Sequence, residues 1–223
     1  MDTLEALKQR TSIRAFTDKQ VEEGQVRDIL DVARWSPSGG NLQPWKVYVV
    51  MGPARERLIN NVKETLAANA MASSAELSVY PPKLEDPWRS RRYEVGEAMY
   101  AQLDIPRTDK MARLAYLMRN YEFFGAPVGI FFSIDRRFDK NQWAHLGMFM
   151  QSVALVATAR GLASCMQESW CVHAGLVSEF LQMPDREQLY CGMALGYADE
   201  TAKVNRLRTT REEVDNFSVF LNE

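Results

Sequence analysis

The sequence predicts an α+β domain with more helix than strand, and three observations predict it. Several segments repeat apolar residues at helical spacing, and runs rich in β-branched and aromatic residues stand between them. No repeat, low-complexity tract or flexible linker divides the 223 residues. That length suffices for one sizeable core, so residues 1–223 are expected to form a single domain.

The elements follow in order. Residues 2–10 place Leu4, Ala6 and Leu7 on one side of a short helix. Over 21–35, Val26, Ile29, Leu30 and Ala33 recur at helical spacing, and Pro37 ends the pattern. WKVYVVM, 45–51, reads as a buried strand. Residues 53–70 return to helix, with a stripe of Leu58, Ile59, Val62 and Leu66 opposite Arg55, Arg57, Lys63 and Glu64. The stretch 80–125 opens with YPPKLEDPW, expected to be extended or irregular. It continues through two helical stripes on either side of Pro106, so the whole stretch reads as an insertion or lid. GAPVGIFFSI, 125–134, is a strand begun by Gly and Pro. The clearest helix is 141–162, where Trp143, Leu146, Met150, Val153 and Ala157 are in phase and Gly161 stands at the C-terminal end. A further helix over 172–182 is stopped by Pro184, and QLYCGMALGYA, 188–198, is a last core strand. The final dozen residues alternate too weakly to place.

Composition excludes several functions. With 27 basic and 29 acidic residues, neither sign dominates, and there is no electrostatic footprint for nucleic acid or an anionic membrane. No apolar run approaches a bilayer span. The opening MDTLEALKQR is charged and amphipathic, unlike a secretory signal, which makes a cytoplasmic location the expectation. Cys165, Cys171 and Cys191 are too few and odd in number for a disulfide framework. His145 and His173 lie far apart without Cys or carboxylate at ligand spacing, so no metal site is expected. Two histidines also starve Ser-His or Cys-His catalysis, leaving the hard chemistry of any enzyme here to a cofactor.

Two features point to a ligand. WSPSGGNLQPW, 35–45, has no charge in a chain that is one-quarter charged. Its Ser38, Asn41 and Gln43 donate and accept hydrogen bonds, while Gly39 and Gly40 permit close backbone approach. This set suits the polar edge of a flat heterocycle, and it equally suits a Gly turn between a helix and a strand. Trp35 and Trp45 at its ends are expected to be core anchors. Near the chain ends, Arg10 and Arg14 flank Ser12, and Arg206 and Arg208 alternate on one face of an extended segment. Arginine forks and a hydroxyl suit a phosphate monoester, although spacing alone serves surface salt bridges as well.

RTSIRAF (10–16) followed by ARWSPSGGNLQPWKVYVV (33–50) resembles the N-terminal signature of the FMN-dependent nitroreductase family. GLASCMQESW (161–170) and GYADETAKVNRLRT (196–209) are similar to its two later flavin segments, in the same order. The branch most resembled reduces nitrobenzoates and other nitroaromatics; it shares the elements at Arg91, Arg92, Pro106, Arg107, Asn120, Phe123 and Phe124. The resemblance implies a nitroreductase-like fold: a central mixed, mainly antiparallel sheet flanked by helices, with residues 80–125 as a helical lid and 210–223 as a C-terminal arm. It implies FMN with its phosphate on Arg10, Ser12, Arg14, Arg206 and Arg208. Pro37, Ser38, Gly39, Asn41 and Gln43 would reach the flavin from the second subunit of a homodimer. Cys165, Met166, Gln167 and Glu168 would lie beside flavin N5, with Met166 standing where relatives often have Pro. Asn120, Phe123, Phe124, Tyr93 and Arg91 would meet the substrate; Tyr100 and Tyr121 are further candidates for stacking on a flat ring, and Arg89, Arg92 or Arg107 for holding a carboxylate.

The implied activity is NADPH- or NADH-driven reduction of nitro groups, nitro to nitroso to hydroxylamine, in a ping-pong cycle with no catalytic side chain. Reduction of another acceptor (an enone, a quinone or a halogenated aromatic) and non-catalytic flavin binding remain open alternatives. The apolar Val214, Phe217, Val219 and Phe220 are expected either to embrace a partner subunit or to pack on their own domain.

Overall fold

The protein is described by a computed structural model that covers residues 1–69 and 72–222. A four-stranded sheet is formed by β1 (Trp45–Met51), β2 (Val128–Asp135), β3 (Ala163–Gln167) and β4 (Glu187–Gly196), in the spatial order β1-β2-β4-β3. Every ladder is antiparallel, with Trp45 opposite Ile134 and Ala163 opposite Gly196. The sheet is therefore wholly antiparallel rather than mixed; the one parallel pairing among the described residues is an isolated bridge between Ser12 and Ser164 beyond the β3 edge. The sequence reading omitted β3. ASCMQ has no β-branched or aromatic residue, and its pairing with β4 makes it a strand.

Seven α-helices surround the sheet among the described residues: α1 (Thr3–Gln9), α2 (Glu23–Ala33), α3 (Gly52–Ala68), α4 (Trp88–Gln102), α5 (Lys110–Met118), α6 (Lys140–Ala159) and α7 (Ala174–Phe180). The expected end of the third helix at residue 70 lies outside the described residues. Capping boxes start α2 (Glu22 with Gln25) and α6 (Asp139 with Gln142), satisfying backbone N–H groups that have no partner within the helix. Gly161 closes the C-terminal end of α6 at φ +75°. No helix among the described residues is long and apolar enough to cross a membrane.

The period of two in the strands sorts the core into two layers. Val128, Ile130, Phe132 and Ile134 of β2 meet Val26 and Ile29 of α2 and Leu146, Met150 and Val153 of α6 on one face. Phe131 and Ala194 meet Leu58 and Val62 of α3, together with Phe123, Phe124 and Trp170, on the other. Two strand glycines allow this second layer to lie flat. A Cβ at Gly129 would stand 2.3 Å from the Phe123 ring, and one at Gly192 would stand 2.3 Å from Trp170. The two rings stack on each other at 4.8 Å. The buried Glu187 accepts from Tyr48 and Ser133, each at 2.8 Å, tying three strands together.

Trp45 anchors the core by stacking on Phe149, with ring centroids 4.7 Å apart. Trp35 does not: it is 80% exposed. Helix α2 ends at Ala33, which directs the following indole away from the apolar stripe. The apolar residues of the tail do not pack on their own domain either: Val214, Phe217, Val219 and Phe220 all face solvent.

Candidate active site

A cavity of about 430 Å³ opens between the end of β3 and the helices α4 and α5. Arg14, Cys165, Met166, Gln167 and Glu168 line one side, and Arg92, Met99, Tyr116, Asn120 and Phe124 line the other. The extended segment before Arg14 explains how the N-terminal residues arrive. Alternation sends Thr11 and Ile13 toward a separate groove of about 680 Å³. It sends Ser12 and Arg14 toward β3, where Ser12 hydrogen-bonds to the Cys165 thiol.

Asn205 fixes that segment. Its Oδ1 accepts from the Arg14 backbone N–H at 2.8 Å, and its Nδ2 donates at 2.8 Å to the carbonyls of Ala15 and Asp199. Electrostatics mark the region as a place for an anion. Burial, followed by the neighbouring Arg211 charge, pulls the Arg10 guanidinium below its ordinary value. The structure therefore brings Arg10, Ser12, Arg14 and Cys165 together, and it adds Arg211, which the sequence reading missed. Arg206 and Arg208 are not brought to this cavity; they line the separate groove, on the Thr11 and Ile13 side. Arg208 donates there to the carbonyls of Asn205 and Leu207.

At the end of β3 the Gln167 side chain is buried, and its Nε2 donates to the Asn120 carbonyl at 2.8 Å. Its Oε1 is buried without a protein donor. Glu168 keeps solvent contact at the cavity wall, yet burial raises its carboxyl, against a hydrogen bond from Tyr190 that lowers it. Burial also raises the Cys165 thiol, against the nearby Arg14 charge, so this cysteine is a poor nucleophile.

The uncharged loop lies elsewhere in the chain. Gly40, Asn41 and Gln43 all have positive φ, and Ser38 Oγ accepts from the Gln43 N–H at 3.0 Å. Gly39 donates to His145 Nε2 of α6 at 3.3 Å, and a Cβ there would stand 3.1 Å from the imidazole. This accounts for His145 as a structural residue. Pro37, Asn41 and Gln43 are exposed, and Ser38 is half-buried. The loop leads into β1 at one edge of the sheet, whereas Cys165–Gln167 form the opposite edge. Three strand spacings, roughly 14 Å, separate them. One chain does not bring the loop to the cavity.

The candidates from residues 80–125 divide. Asn120 and Phe124 line the cavity. Phe123 does not, because it is fully buried between Trp170 and the sheet, where no substrate reaches it. Arg91 is turned away to an ion pair with Glu212 of the tail. Tyr93 is exposed and sits beneath the Arg107 guanidinium, 5.4 Å from ring centroid to charge, outside the cavity. Arg92 and Tyr100 of α4, both candidates from the sequence, do line it, joined by Val95 and Met99 of α4 and Tyr116 of α5. Helical phase held the signal: positions 92, 95, 96 and 99 share a face, and 91 and 93 flank it.

Residues 7–197 match the sequence model of the nitroreductase family. The chain belongs to the nitroreductase family. It is 36% identical to a 4-nitrobenzoate reductase of Pseudomonas putida over 95% of this chain and 92% of that one. It is 34% identical to a nitrobenzene nitroreductase of Ectopseudomonas oleovorans over 97% and 96% of the respective chains. Among solved structures, the FMN- and NADPH-dependent nitroreductase NfnB of Sphigopyxis sp. strain HMH superposes with a TM-score of 0.97 at 41% identity, covering both chains fully. The FMN-dependent NfnB of Mycobacterium smegmatis, solved with NADPH, gives 0.92 at 29% identity over 99% and 98%. The four-stranded antiparallel sheet with its flanking helices is thus the nitroreductase fold.

Proposed function

We propose that this nitroreductase-family chain is an FMN-dependent NAD(P)H oxidoreductase that reduces nitroarenes as a homodimer in the cytoplasm. The observation that carries this reading is the convergence, at one open cavity, of a cationic end and a polar strand end with an unused acceptor. Arg14, with Arg10 and Ser12 behind it, supplies charge-assisted donors for a phosphate monoester. Gln167 Oε1, buried without a partner, awaits an N–H of the kind a flavin ring carries. The residues present therefore fit FMN, with Arg206 and Arg208 left out because they face the other groove. Bound FMN would supply the two-electron chemistry that the side chains lack, in a ping-pong order taking nitro to nitroso and then to hydroxylamine.

The chain's own contribution is binding and orientation. Phe124, Tyr100 and Tyr116 form an aromatic wall against which a flat reactant can lie. Glu168 retains a proton to higher pH than a free carboxyl, so it can meet part of the proton demand of reduction. The dimer is supported by the distance between loop and cavity within one chain, and by the exposed Trp35, Leu42, Met148 and Phe217. Purified protein, anaerobic, is expected to show a flavin spectrum that NADPH or NADH bleaches and a nitroarene restores, with stoichiometric loss of the nitro compound. A protein that cannot be loaded with FMN would overturn the reading. Bleaching without reoxidation by nitroarenes would send the electrons to another acceptor.

A further inference from the structure

We infer that Arg92, laid against Tyr80, is the residue through which this cavity selects reactants bearing a carboxylate. The inference rests on the nitroreductase reading of the same cavity and names the side chain that sets its preference.

Six arginines stand in residues 80–125, and they differ in what already occupies them; Arg119 donates to the Phe124 carbonyl and does not line the cavity. Arg89 is paired with Asp86 at 2.6 Å. Arg91 is paired with Glu212. Arg113 makes a two-pronged pair with Glu97 at 2.5 and 3.0 Å. Arg107 lies over Tyr93, away from the cavity. Arg92 alone among them both lines the cavity and has no carboxylate partner among the described residues.

Its guanidinium sits 3.9 Å from the centroid of the Tyr80 ring, which also lines the cavity. The ring contacts the guanidinium carbon, and no hydrogen bond or ion pair among the described residues takes the Arg92 guanidinium N–H groups. The N–H edge of a guanidinium is the part that grips a carboxylate with two parallel hydrogen bonds. One helical turn further on, Gly96 lines the same wall, and a Cβ built there would meet nothing within 4 Å. A glycine inside a helix costs about 1 kcal/mol relative to alanine; here it leaves open space beside the guanidinium for the body of an aromatic ring.

The charge balance of the cavity points the same way. Its lining holds Arg14 and Arg92 against one carboxylate, Glu168, whose ionisation burial opposes. Arg14 lies with Ser12 and Cys165 at the N-terminal segment. Arg92 comes from a different element, α4, and lies against Tyr80.

The test uses the flavin-loaded protein and two ligands that cannot be reduced, benzoate and benzamide, with their dissociation constants read by calorimetry. In Arg92→Gln the preference for benzoate over benzamide is expected to fall about fivefold, the scale of a partly solvated ion pair. Arg92→Lys, which keeps the charge and loses the fork, should fall less, and Arg89→Gln should leave the ratio alone. The ratio of nitrobenzoate to nitrobenzene turnover should follow the same order. A flavin-loaded Arg92→Gln protein with an unchanged ratio overturns this inference and leaves the nitroreductase reading standing. So does a variant that instead weakens NADPH relative to NADH, for then the fork reads the donor's 2′-phosphate. A wild-type protein that holds no flavin sinks both.

Discussion

Gln167 donates from one nitrogen to both oxygens of Asn120, at 2.8 Å to the main-chain carbonyl and 3.3 Å to the side chain. The bond joins the last residue of β3 to the turn that follows α5, so it fixes that turn against the strand end. Gln167→Met keeps the length of the side chain and removes the donors. It is expected to cost about 1–3 kcal/mol. Gln167→Glu should cost more, because a buried carboxylate would face two acceptors. Thermal midpoints and the rate of FMN loss measure both. A Gln167→Glu protein as stable as wild type would mean that the clamp does not form.

Asn205 makes three hydrogen bonds of 2.8 Å, and the two to Arg14 and Ala15 join the ends of the chain. Asn205→Leu preserves size and leaves three backbone groups without their partner. At about 1 kcal/mol or more for each group, a loss of about 3 kcal/mol is expected in urea unfolding. Because Arg14 is one of the groups released, the affinity for FMN or inorganic phosphate should fall with it. Asn205→Asp retains the acceptor for Arg14 while losing both donors, so it should keep more of the anion affinity than Asn205→Leu. Equal affinities in the two variants would show that Asn205 does not position Arg14.

What the sequence disclosed depended on whether a local rule governed each segment. The β-branched run WKVYVVM and the in-phase helix ending at Gly161 were legible because periodicity and a positive-φ glycine are local signals. β3 was not, because its strand character comes from pairing with β4. The cationic end of the cavity was legible in the Arg-x-Ser-x-Arg spacing, although Arg211 joins it only through the path of the tail. Over 80–125 the sequence named part of the cavity lining in Arg92, Tyr100, Asn120 and Phe124, and it also named Arg91, Tyr93 and Phe123, which lie outside it. Arg91 and Tyr93 straddle the phase that puts Arg92 on the cavity wall. Phe123 has the chemistry of a stacking residue, but Gly129 makes room for its ring in the core. That pairing depends on two residues meeting in space, and neither one signals it alone.

The carboxyl of Glu168 carries a pH dependence whose sign is fixed by its cause. Burial raises it above 4.5, its ordinary value, so the folded chain holds this proton more tightly than the unfolded one. Its contribution to stability is therefore fully present below pH 4.5 and is lost as pH rises through the raised value. Glu168→Gln removes that dependence. The stability of wild type minus that of the variant should decline from pH 4.5 upward and then level off, as read from urea unfolding at successive pH values. A difference that grows with pH would show a carboxylate stabilised by the fold, opposite to the effect of burial.

Trp35 presents the prediction that bears most on assembly. Its indole is 80% exposed at the start of the uncharged loop, with the Arg34 guanidinium 5.6 Å from the ring centroid. A buried aromatic at the centre of an interface is typically worth about 2 kcal/mol or more, and a charge in its place costs at least as much. If the loop serves the partner's cavity, Trp35→Glu should weaken self-association about thirtyfold or more. Sedimentation should then show wild type at twice 25.5 kDa and the variant shifting toward a single chain on dilution. Flavin content should fall in parallel, because each cavity would lose the loop supplied by the other chain. A Trp35→Glu protein that remains dimeric with full FMN would remove Trp35 from the interface. Monomeric protein that keeps its FMN would instead detach the loop from the flavin and place both halves of the site within one chain.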